Sequence, residues 1–390
     1  MAPRRKGRRH CPKSTTGHKP QPTETLIPSL PNDVALNCLA RVPRWHHPIL
    51  SHVSKPIRTV LSSPQFYAVR SLLNTTQNVL YLRLGSYSSW PAAWFTLHRR
   101  PDPNPSDGDN LFLVRVPQPP VHIAETTLFA VVGPRIYVLG GFINGGPSAD
   151  VWALDCRFHT WERGPSMRMA RSAASAAAVL GGKIYVAGGG GPSSTDGGAH
   201  WVESLDPDIG LWETVPSPDE VRNKWVSDCT AVGGGVCVWV ARDGFTFDPN
   251  TRRWEVFKGE MQSGWNGQSC VVNGVLYCYT ANGRLKGFDE KNGVWKEVNG
   301  VHKDLPNYMS GASMVDLGGR LVVVWEDNDL NGSVESLKGR KMELRCAEIE
   351  VKKDGDGDFW GEVQWSEKVS VPEWLVERAP FFYHCLSVSI

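Results

Sequence analysis

A run of glycines in the middle of the chain is the first candidate for binding chemistry. Residues 188–191, with Gly197 and Gly198, offer unhindered backbone N–H groups of the kind that cradle phosphates. A phosphate loop also needs a Gly-Lys-Ser/Thr sequence, and both nucleotide-binding patterns need a helix after the loop. Neither follows here, because the next residues have the composition of a strand. We therefore interpret the run as a structural loop.

Three aspartates alternate with glycines at residues 354–358, as at the start of a calcium-binding loop. Carboxylate oxygens at alternating positions are ligands that Ca²⁺ prefers. An EF-hand loop also needs glycine at its sixth position and glutamate at its twelfth, where this chain has Phe359 and Trp365. The EF-hand is therefore excluded, and we expect a polar hairpin turn.

The other residue types that support catalysis are scattered. Six histidines have no paired spacing that suits a metal: His98, His122, His159, His200, His302 and His384. No Gly-x-Ser-x-Gly motif and no Cys/His arrangement indicates a nucleophile. We expect no catalytic residue, no metal site and no cofactor, which leaves binding as the function.

A repeated cassette surrounds the glycines and predicts the elements that position them. In each copy an apolar strand ends in a glycine pair, a second strand ends in aspartate, and a tryptophan opens a third strand. Two copies carry these markers at Gly140-Gly141, Asp155 and Trp161, and at Gly188-Gly189, Asp206 and Trp212. A unit of about 40 to 50 residues with this order of strands is typical of a β-propeller blade. Glycine lets backbones approach closely at the narrow end of a blade.

Later cassettes lose the glycine pair but keep the aspartate and the tryptophan. The tryptophans, the last at Trp365, are expected to wedge between neighbouring blades. The first blade supplies three strands, and a C-terminal strand at residues 383–389 can complete it and hide the sheet edges. The sequence therefore predicts a mainly β fold, a propeller of six blades over residues 78–390.

The N-terminal part differs in composition. Residues 1–26 carry seven basic side chains and one acidic one with little to bury, so we expect a disordered tail. A nuclear localisation signal is one interpretation of its basic run, and a solvated tail without function is the favoured one. Residues 27–73 predict short helices, one capped by Ser54 or Lys55 and another by Ser63, with prolines in the first helical turn of each.

The helical segment is similar to an F-box. The likeness rests on residues 27–34 (IPSLPNDV), 38–43 (CLARVP), 50–55 (LSHVSK) and 58–67 (RTVLSSPQFY). Together with the cassettes, residues 27–390 resemble the plant F-box/kelch-repeat family, whose propeller is of the kelch type. Pro56 departs from the family, which usually has a backbone N–H donor there. In the first turn of a helix the missing N–H costs little.

That resemblance implies a non-catalytic substrate-recognition subunit of an SCF-type cullin–RING E3 ubiquitin ligase. The F-box would dock a Skp-family adaptor, and through it a cullin, while the propeller binds a target protein for ubiquitination and degradation. The resemblance assigns the adaptor contacts to Leu30, Pro31, Val34, Leu39 and Val53. The alternative is a kelch scaffold or a small-molecule-binding protein without a ligase role.

Strand direction predicts which loops form the target-binding face. With the strands of a blade lettered a to d outward, the b–c and d–a loops emerge on the same side. The d–a loops carry aromatic and cationic residues that are typical of protein interfaces. We predict a substrate-binding face with Arg168, Arg171, Lys224, Trp225, Trp265, Asn266 and Tyr308. Packing between blades is the alternative for the two tryptophans.

Composition bounds the partners and the compartment. The chain of 390 residues has a net charge of +2, and its basic tail leaves a mildly acidic body without a large nucleic-acid surface. No apolar stretch predicts a signal peptide or a membrane span. The nine cysteines are scattered without Cys-x-x-Cys spacing. We expect a reducing compartment, the cytoplasm or the nucleus, with neither membrane nor nucleic acid as partner.

Overall fold

The computed structural model divides into two compact units, Met1–Thr75 and Thr76–Ile390. It describes residues 25–86, 92–100, 110–121, 123, 126–143, 145–172, 175–189, 200–222, 224–240, 243–257, 264–265, 269–280, 283–305, 312–326, 343–376 and 380–390. Residues 1–24 of the predicted tail lie outside these ranges. The sequence placed the boundary between the units at residues 73–78.

The first unit is helical. It contains α1 (Asn32–Ala40), a 3-10 turn (Arg44–His46), α2 (His47–Val53), α3 (Lys55–Leu61) and α4 (Pro64–Leu72). Two serines cap helices as the sequence predicts. The Ser54 hydroxyl accepts a hydrogen bond from the Ile57 N–H at 3.3 Å, and the Ser63 hydroxyl accepts one from the Phe66 N–H at 3.2 Å.

A small apolar core and one buried arginine hold these helices together. The core contains Leu39, Ala40, Ile57, Leu61 and Phe66. The guanidinium of Arg70 donates to the Ala40 and Val42 carbonyls at 2.9 and 2.8 Å and to the Thr75 carbonyl at 2.6 Å. It therefore satisfies the Ala40 and Val42 carbonyls at the C-terminal end of α1, where carbonyl groups have no partner inside the helix.

The second unit is built of strands. They are β1 (Asn78–Ser86), β2 (Ala93–Arg99), β3 (Leu111–Arg115), β4 (Leu128–Val132), β5 (Arg135–Leu139), β6 (Phe142–Ile143), β7 (Gly146–Pro147), β8 (Val151–Asp155), β9 (Thr160–Arg163), β10 (Ser175–Leu180), β11 (Lys183–Gly188), β12 (Val202–Asp206), β13 (Leu211–Val215), β14 (Val226–Val232), β15 (Gly235–Val240), β16 (Asp243–Asp248), β17 (Arg253–Val256), β18 (Ser269–Val272), β19 (Val275–Tyr279), β20 (Leu285–Asp289), β21 (Val294–Asn299), β22 (Ser313–Asp316), β23 (Leu321–Glu326), β24 (Leu344–Lys353), β25 (Phe359–Ser370) and β26 (Pro380–Ser389). A short helix, α5 (Glu373–Val376), precedes β26.

Antiparallel pairing arranges the described strands in groups of four. In pairing order these are β26-β1-β2-β3, β4-β5-β8-β9, β10-β11-β12-β13, β14-β15-β16-β17, β18-β19-β20-β21 and β22-β23-β24-β25. The pairing of β26 with β1 brings the two ends of the second unit together, with Val79 opposite Val388. This is the pairing that the sequence predicts for the C-terminal strand.

The apolar core of this unit lies between neighbouring groups. One cluster contains Leu139 of the second group and Leu205 of the third. Another contains Tyr185 of the third group and Val238 of the fourth. A further cluster joins the last group to the first. This succession is the one expected for the predicted ring of six blades, whose count and closure stay predictions.

A glycine pair and a set of tryptophans explain how neighbouring groups meet. Gly140 has φ +63°, and a Cβ on it would lie 2.7 Å from the Arg171 carbonyl oxygen, so the predicted close approach is confirmed. The indole N–H groups of three outer-strand tryptophans donate to proline carbonyls after the outer strand of the preceding group. The pairs are Trp161 with Pro117, Trp212 with Pro165 and Trp254 with Pro216.

The sequence predicts that Trp365 begins an outer strand, and this prediction is wrong. β25 begins at Phe359, so Trp365 lies in the middle of the strand. The buried ring of Phe359 instead contacts Tyr277 of the preceding group edge to face, with centroids 5.9 Å apart. Trp365 donates its N–H to a carboxylate oxygen of Glu348 at 3.1 Å. The aromatic ring between the fifth and sixth groups is therefore that of Phe359, a phenylalanine in place of the predicted tryptophan.

Candidate interaction surfaces

Helix α1 has a buried face and an exposed face. Ala35 and Leu39 lie four residues apart and are buried, whereas Val34 is exposed. Pro31 is exposed and Leu30 is half-buried at the start of the helix. Of the residues predicted to contact an adaptor, Leu39 therefore packs into the helical core and presents no surface to a partner.

Helix α2 presents the more exposed apolar surface. Ile49 is 67% exposed and Val53 is 65% exposed, and their spacing of four residues places them on one side of the helix. Trp45 in the 3-10 turn is also exposed. Sequence analysis identified Val53 and missed Ile49. The signal was present, because residues four apart share a face on the short helix predicted at roughly residues 48–53.

Two histidines precede this surface, and one of them belongs to the core. His47 is buried, and its ring meets Phe66 edge to face with centroids 5.3 Å apart. Burial lowers its pKa to about 4, and its Nε2 lies 3.1 Å from the Val42 carbonyl oxygen. The imidazole therefore stays neutral at physiological pH and fixes the start of α2.

In the second unit, Arg171 lies in the interior and not on the predicted target face. Its side chain is fully buried, and its guanidinium bonds Glu203 at 2.9 Å and the His200 carbonyl at 2.6 Å. It also donates to the carbonyls of Gly188 and Trp201. The guanidinium has no exposed surface for a partner to contact, so we assign Arg171 to the packing of the loop between β9 and β10.

Trp265 is likewise buried, as the alternative of packing between blades requires. Its indole stacks on Phe257 with centroids 6.0 Å apart and lies 5.9 Å from the Trp239 ring. Its N–H donates to the Asp228 carboxylate at 2.9 Å, and the Ser269 hydroxyl donates to the same oxygen at 2.7 Å. Desolvation raises the pKa of Asp228 to about 6.

Three of the predicted target-face residues remain on the surface. Trp225 is 73% exposed beside the exposed Lys224, on the loop between β13 and β14. Arg168 is exposed but partly engaged, since its Nη2 donates to the Trp212 carbonyl at 2.9 Å. Asn266 and Tyr308 lie outside the described residues. The target face that the described residues present is therefore narrower than predicted.

Sequence analysis also missed an exposed aromatic residue on that side. Phe142 lies in β6, on the connection from β5 to β8, and is exposed. This is a connection from a second to a third strand, so it emerges on the same side as the d–a loops. The glycine pair before Phe142 was interpreted as packing alone, although a large apolar residue directly after it was a signal of a surface contact.

The described residues also bear on metal binding and on membrane insertion. Among them, no group of three or more His, Cys, Asp or Glu side chains is placed to hold a metal ion. Within the same ranges, no helix has the length and apolar character needed to cross a membrane.

The Asp354–Asp358 segment forms a turn, in which the Asp354 carboxylate accepts the Asp356 and Asp358 N–H groups at 3.0 and 2.8 Å. The predicted polar hairpin turn is confirmed.

Comparison with protein families agrees with the division of the chain into a helical unit and a unit of strands. A model of the F-box domain matches residues 27–68, and a model described as FKB95, Kelch-repeats domain, matches residues 94–370. The chain belongs to the F-box/kelch-repeat family. The second unit of this F-box/kelch-repeat protein is therefore a kelch-type β-propeller domain, and a four-stranded group such as β10–β13 has the make-up of a blade.

Relatives of this F-box/kelch-repeat protein align along nearly the whole chain. F-box/kelch-repeat protein At4g39590 of Arabidopsis thaliana is 35% identical, covering 93% of this chain and 92% of its own. Putative F-box/kelch-repeat protein At1g19930 of the same plant is 36% identical, covering 93% and 96%. A solved chain described as "Structure of YjhT" aligns at 13% identity and a TM-score of 0.46, covering 69% of this chain and 91% of that one.

Proposed function

We propose that this protein is a substrate-recognition subunit of an SCF-type ubiquitin ligase. Its F-box would dock a Skp-family adaptor, and through it a cullin, while the kelch propeller binds a target protein. The observation that carries the proposal is the exposed apolar surface of α2, formed by Ile49 and Val53 on a family-matched F-box. Exposed apolar side chains grouped on one helix face indicate a protein-binding surface.

The proposed role needs no catalytic residue in this chain. A receptor holds the target near enzymes of the ligase, and the resulting rise in effective concentration drives ubiquitin transfer. On the propeller, Trp225 and Phe142 supply exposed aromatic contacts, and Lys224 and Arg168 supply positive charge. Aromatic and arginine side chains contribute most to protein interfaces, which supports a protein as the target.

We also propose that the protein acts in the cytoplasm or the nucleus. Eight cysteines of the described residues are all free thiols, which suits a reducing compartment. A fluorescent fusion of the full-length chain tests this proposal, with a second fusion that lacks residues 1–26. Accumulation of the full-length fusion in a secretory compartment would contradict it.

The adaptor contact is tested by titrating a purified plant Skp-family adaptor into the full-length chain by calorimetry. We expect Ile49→Asp to weaken binding at least about 30-fold, because a charge at an apolar hot spot costs about 2 kcal/mol or more. Leu72→Asp is the matched control. Leu72 is 82% exposed but lies outside the residues that match the F-box model.

Two results would contradict the receptor proposal. One is a wild-type chain that does not retain the adaptor. The other is an Ile49→Asp variant that binds as tightly as the Leu72→Asp control. A scaffold without a ligase role predicts the first result.

The target contact is tested separately, by proximity labelling in plant cells after proteasome inhibition. Trp225→Ala is expected to deplete the labelled targets while calorimetry still detects the adaptor at full affinity. Unchanged labelling would remove Trp225 from the target face.

A further inference from the structure

A cleft opens between the fourth and fifth four-stranded groups, β14–β17 and β18–β21. Its cavity volume is about 160 Å³, and it opens to solvent. Its lining residues are Val232, Gly233, Cys237, Thr246, Gly274, Leu276, Phe288 and Glu290. The lining includes turns between first and second strands and between third and fourth strands. Because strands alternate in direction, these turns lie on the side opposite the predicted target face.

Each wall of the cleft includes an apolar side chain, and its rim is formed by glycine turns and Glu290. Val232 and Phe288 supply the accessible apolar surface, and the buried Leu276 lies behind it. Gly274 lies in the rim with φ +78°, and a Cβ on it would meet nothing within 4 Å. Gly233 has φ +59°, and a Cβ there would lie 3.0 Å from a Glu290 carboxylate oxygen. The glycine turns therefore leave the mouth open beside that carboxylate.

The polar groups inside the cleft are paired and uncharged. Cys237 Sγ and Thr246 Oγ1 lie 3.5 Å apart and form a weak hydrogen bond. Burial raises the pKa of the Cys237 thiol to about 11, so the thiol stays protonated at physiological pH. The inner part of the cleft therefore adds no charge that competes with the rim.

Glu290 is the one lining residue with a charge. It lies in the turn between β20 and β21 and is exposed. Within the described part of the chain, its carboxylate forms no ion pair and no hydrogen bond. Neighbouring carboxylates behave differently, since Asp289 accepts bonds from Lys353 at 2.8 Å and from Asn292 at 2.6 Å. Glu290 is thus free to accept from a ligand.

We propose that this cleft binds an alkylammonium group. The ammonium would donate to the Glu290 carboxylate, and its hydrocarbon stem would lie between Val232 of the fourth group and Phe288 of the fifth. An apolar slot with one carboxylate at its mouth matches that combination, because a lysine-like chain buries its methylene groups and keeps its charge at the surface. Anionic ligands are disfavoured by Glu290. The chemistry is shared by a lysine side chain of a bound protein and by a free alkylamine.

Methyl NMR on the full-length chain tests this site, because Val232 and Leu276 carry reporter methyl groups in the lining. The probe is n-butylamine, with n-butanol as its uncharged counterpart. We expect n-butylamine to shift these two methyl resonances with a millimolar Kd. We expect n-butanol to bind about fivefold more weakly, since an accessible ion pair contributes up to about 1 kcal/mol.

Two variants isolate the carboxylate. Glu290→Gln should weaken n-butylamine about fivefold, and Glu290→Lys should abolish binding by placing a like charge at the rim. Both changes are at an exposed position. Glu213→Gln, at an exposed glutamate on β13 of the third group, should leave the affinity unchanged. Equal binding by Glu290→Gln and Glu213→Gln, or by n-butanol and n-butylamine, would overturn the proposal.

A third probe identifies the source of the ammonium. Lysine capped by acetyl and methylamide groups at its backbone presents the same chain as a protein does. Binding as strong as that of n-butylamine supports a protein side chain, and exclusion of the capped lysine supports a free amine. Shifts confined to residues outside the cleft with every probe would contradict both.

Discussion

The guanidinium of Arg171 and the carboxylate of Glu203 form an ion pair at 2.9 Å, and neither side chain is exposed to solvent. Glu203 also accepts the backbone N–H groups of Arg168 and Met169 at 2.8 and 3.0 Å. Arg171 satisfies carbonyl groups at the end of β11 and just before β12. The pair therefore fixes the loop between β9 and β10 against β11 and β12.

We expect Arg171→Ala to lower the free energy of unfolding of the propeller by about 3 to 5 kcal/mol, because Glu203 would keep a buried charge without a cation. Burial lowers the Arg171 pKa while Glu203 opposes that shift, which shows their dependence on each other. Urea unfolding of the full-length chain measures the effect. Arg163→Ala is the matched control, since Arg163 forms an exposed pair with Asp150 and should cost under about 1 kcal/mol.

A double variant separates the buried charge from the lost packing. Arg171→Met with Glu203→Gln removes both charges, and the single amide oxygen of Gln can still accept one of the two N–H groups of Arg168 and Met169. We expect it to recover part of the stability lost in Arg171→Ala. A double variant less stable than Arg171→Ala, with unchanged m-value, would show that the charge is not the cause.

Arg171 also shows what the sequence does not reveal. Its place before an inner strand was predicted, and so was the close approach at Gly140. Its burial depends on Glu203, which lies 32 residues further along the chain and gives no local signal. Periodicity identifies strands because neighbouring residues alternate. The burial of a loop residue depends on contacts with residues distant in sequence, and a single sequence does not reveal which residues these are.

The helical surface was more accessible to sequence reasoning. Capping by Ser54 and Ser63 follows from local hydrogen bonding, and both caps are present. The division of α1 into an exposed Val34 and a buried Leu39 was not anticipated, because both are apolar and adjacent faces of a short helix look alike in sequence. Contact with α4 decides which face becomes the core.

Trp212→Phe tests the hydrogen bonds between blades. The change removes the indole N–H that donates to the Pro165 carbonyl at 2.8 Å in a buried setting. We expect a loss of about 1 to 3 kcal/mol, as the carbonyl loses its partner and a small cavity forms. Trp360→Phe, at an exposed tryptophan, should change the free energy of unfolding by less than about 0.5 kcal/mol. Equal melting temperatures for the two variants would contradict this role.

Asp228 should make stability depend on pH. Its pKa rises from 3.8 in the unfolded chain to about 6 in the folded one, because desolvation outweighs the hydrogen bonds from Ser269 and Trp265. A raised carboxyl pKa stabilises the fold below the unfolded pKa, and that contribution is lost as pH rises through about 6.

We therefore expect the wild type to lose about 1 to 3 kcal/mol more than Asp228→Asn between pH 4 and pH 8. Urea unfolding at several pH values measures the difference, and all other groups titrate alike in both proteins. Asp289 acts in the opposite direction, since Lys353 lowers its pKa, but it is common to both. Parallel pH profiles for the two proteins would exclude Asp228 as the source.

Cysteine reactivity should separate the surface of the F-box from the interior of the propeller. Cys38 on α1 is exposed, whereas Cys237 and Cys346 are buried. Burial raises the Cys237 pKa to about 11 and the Cys346 pKa well above its usual value, which depletes the reactive thiolate. Iodoacetamide at pH 7.5 is expected to alkylate Cys38 much faster than Cys237, because Cys237 is buried and its thiolate is depleted. Peptide mass spectrometry follows each site, and alkylation in urea supplies the fully accessible control. Labelling of Cys237 in the native protein at the rate of Cys38 would mean that this part of the propeller opens far more readily than its packing predicts.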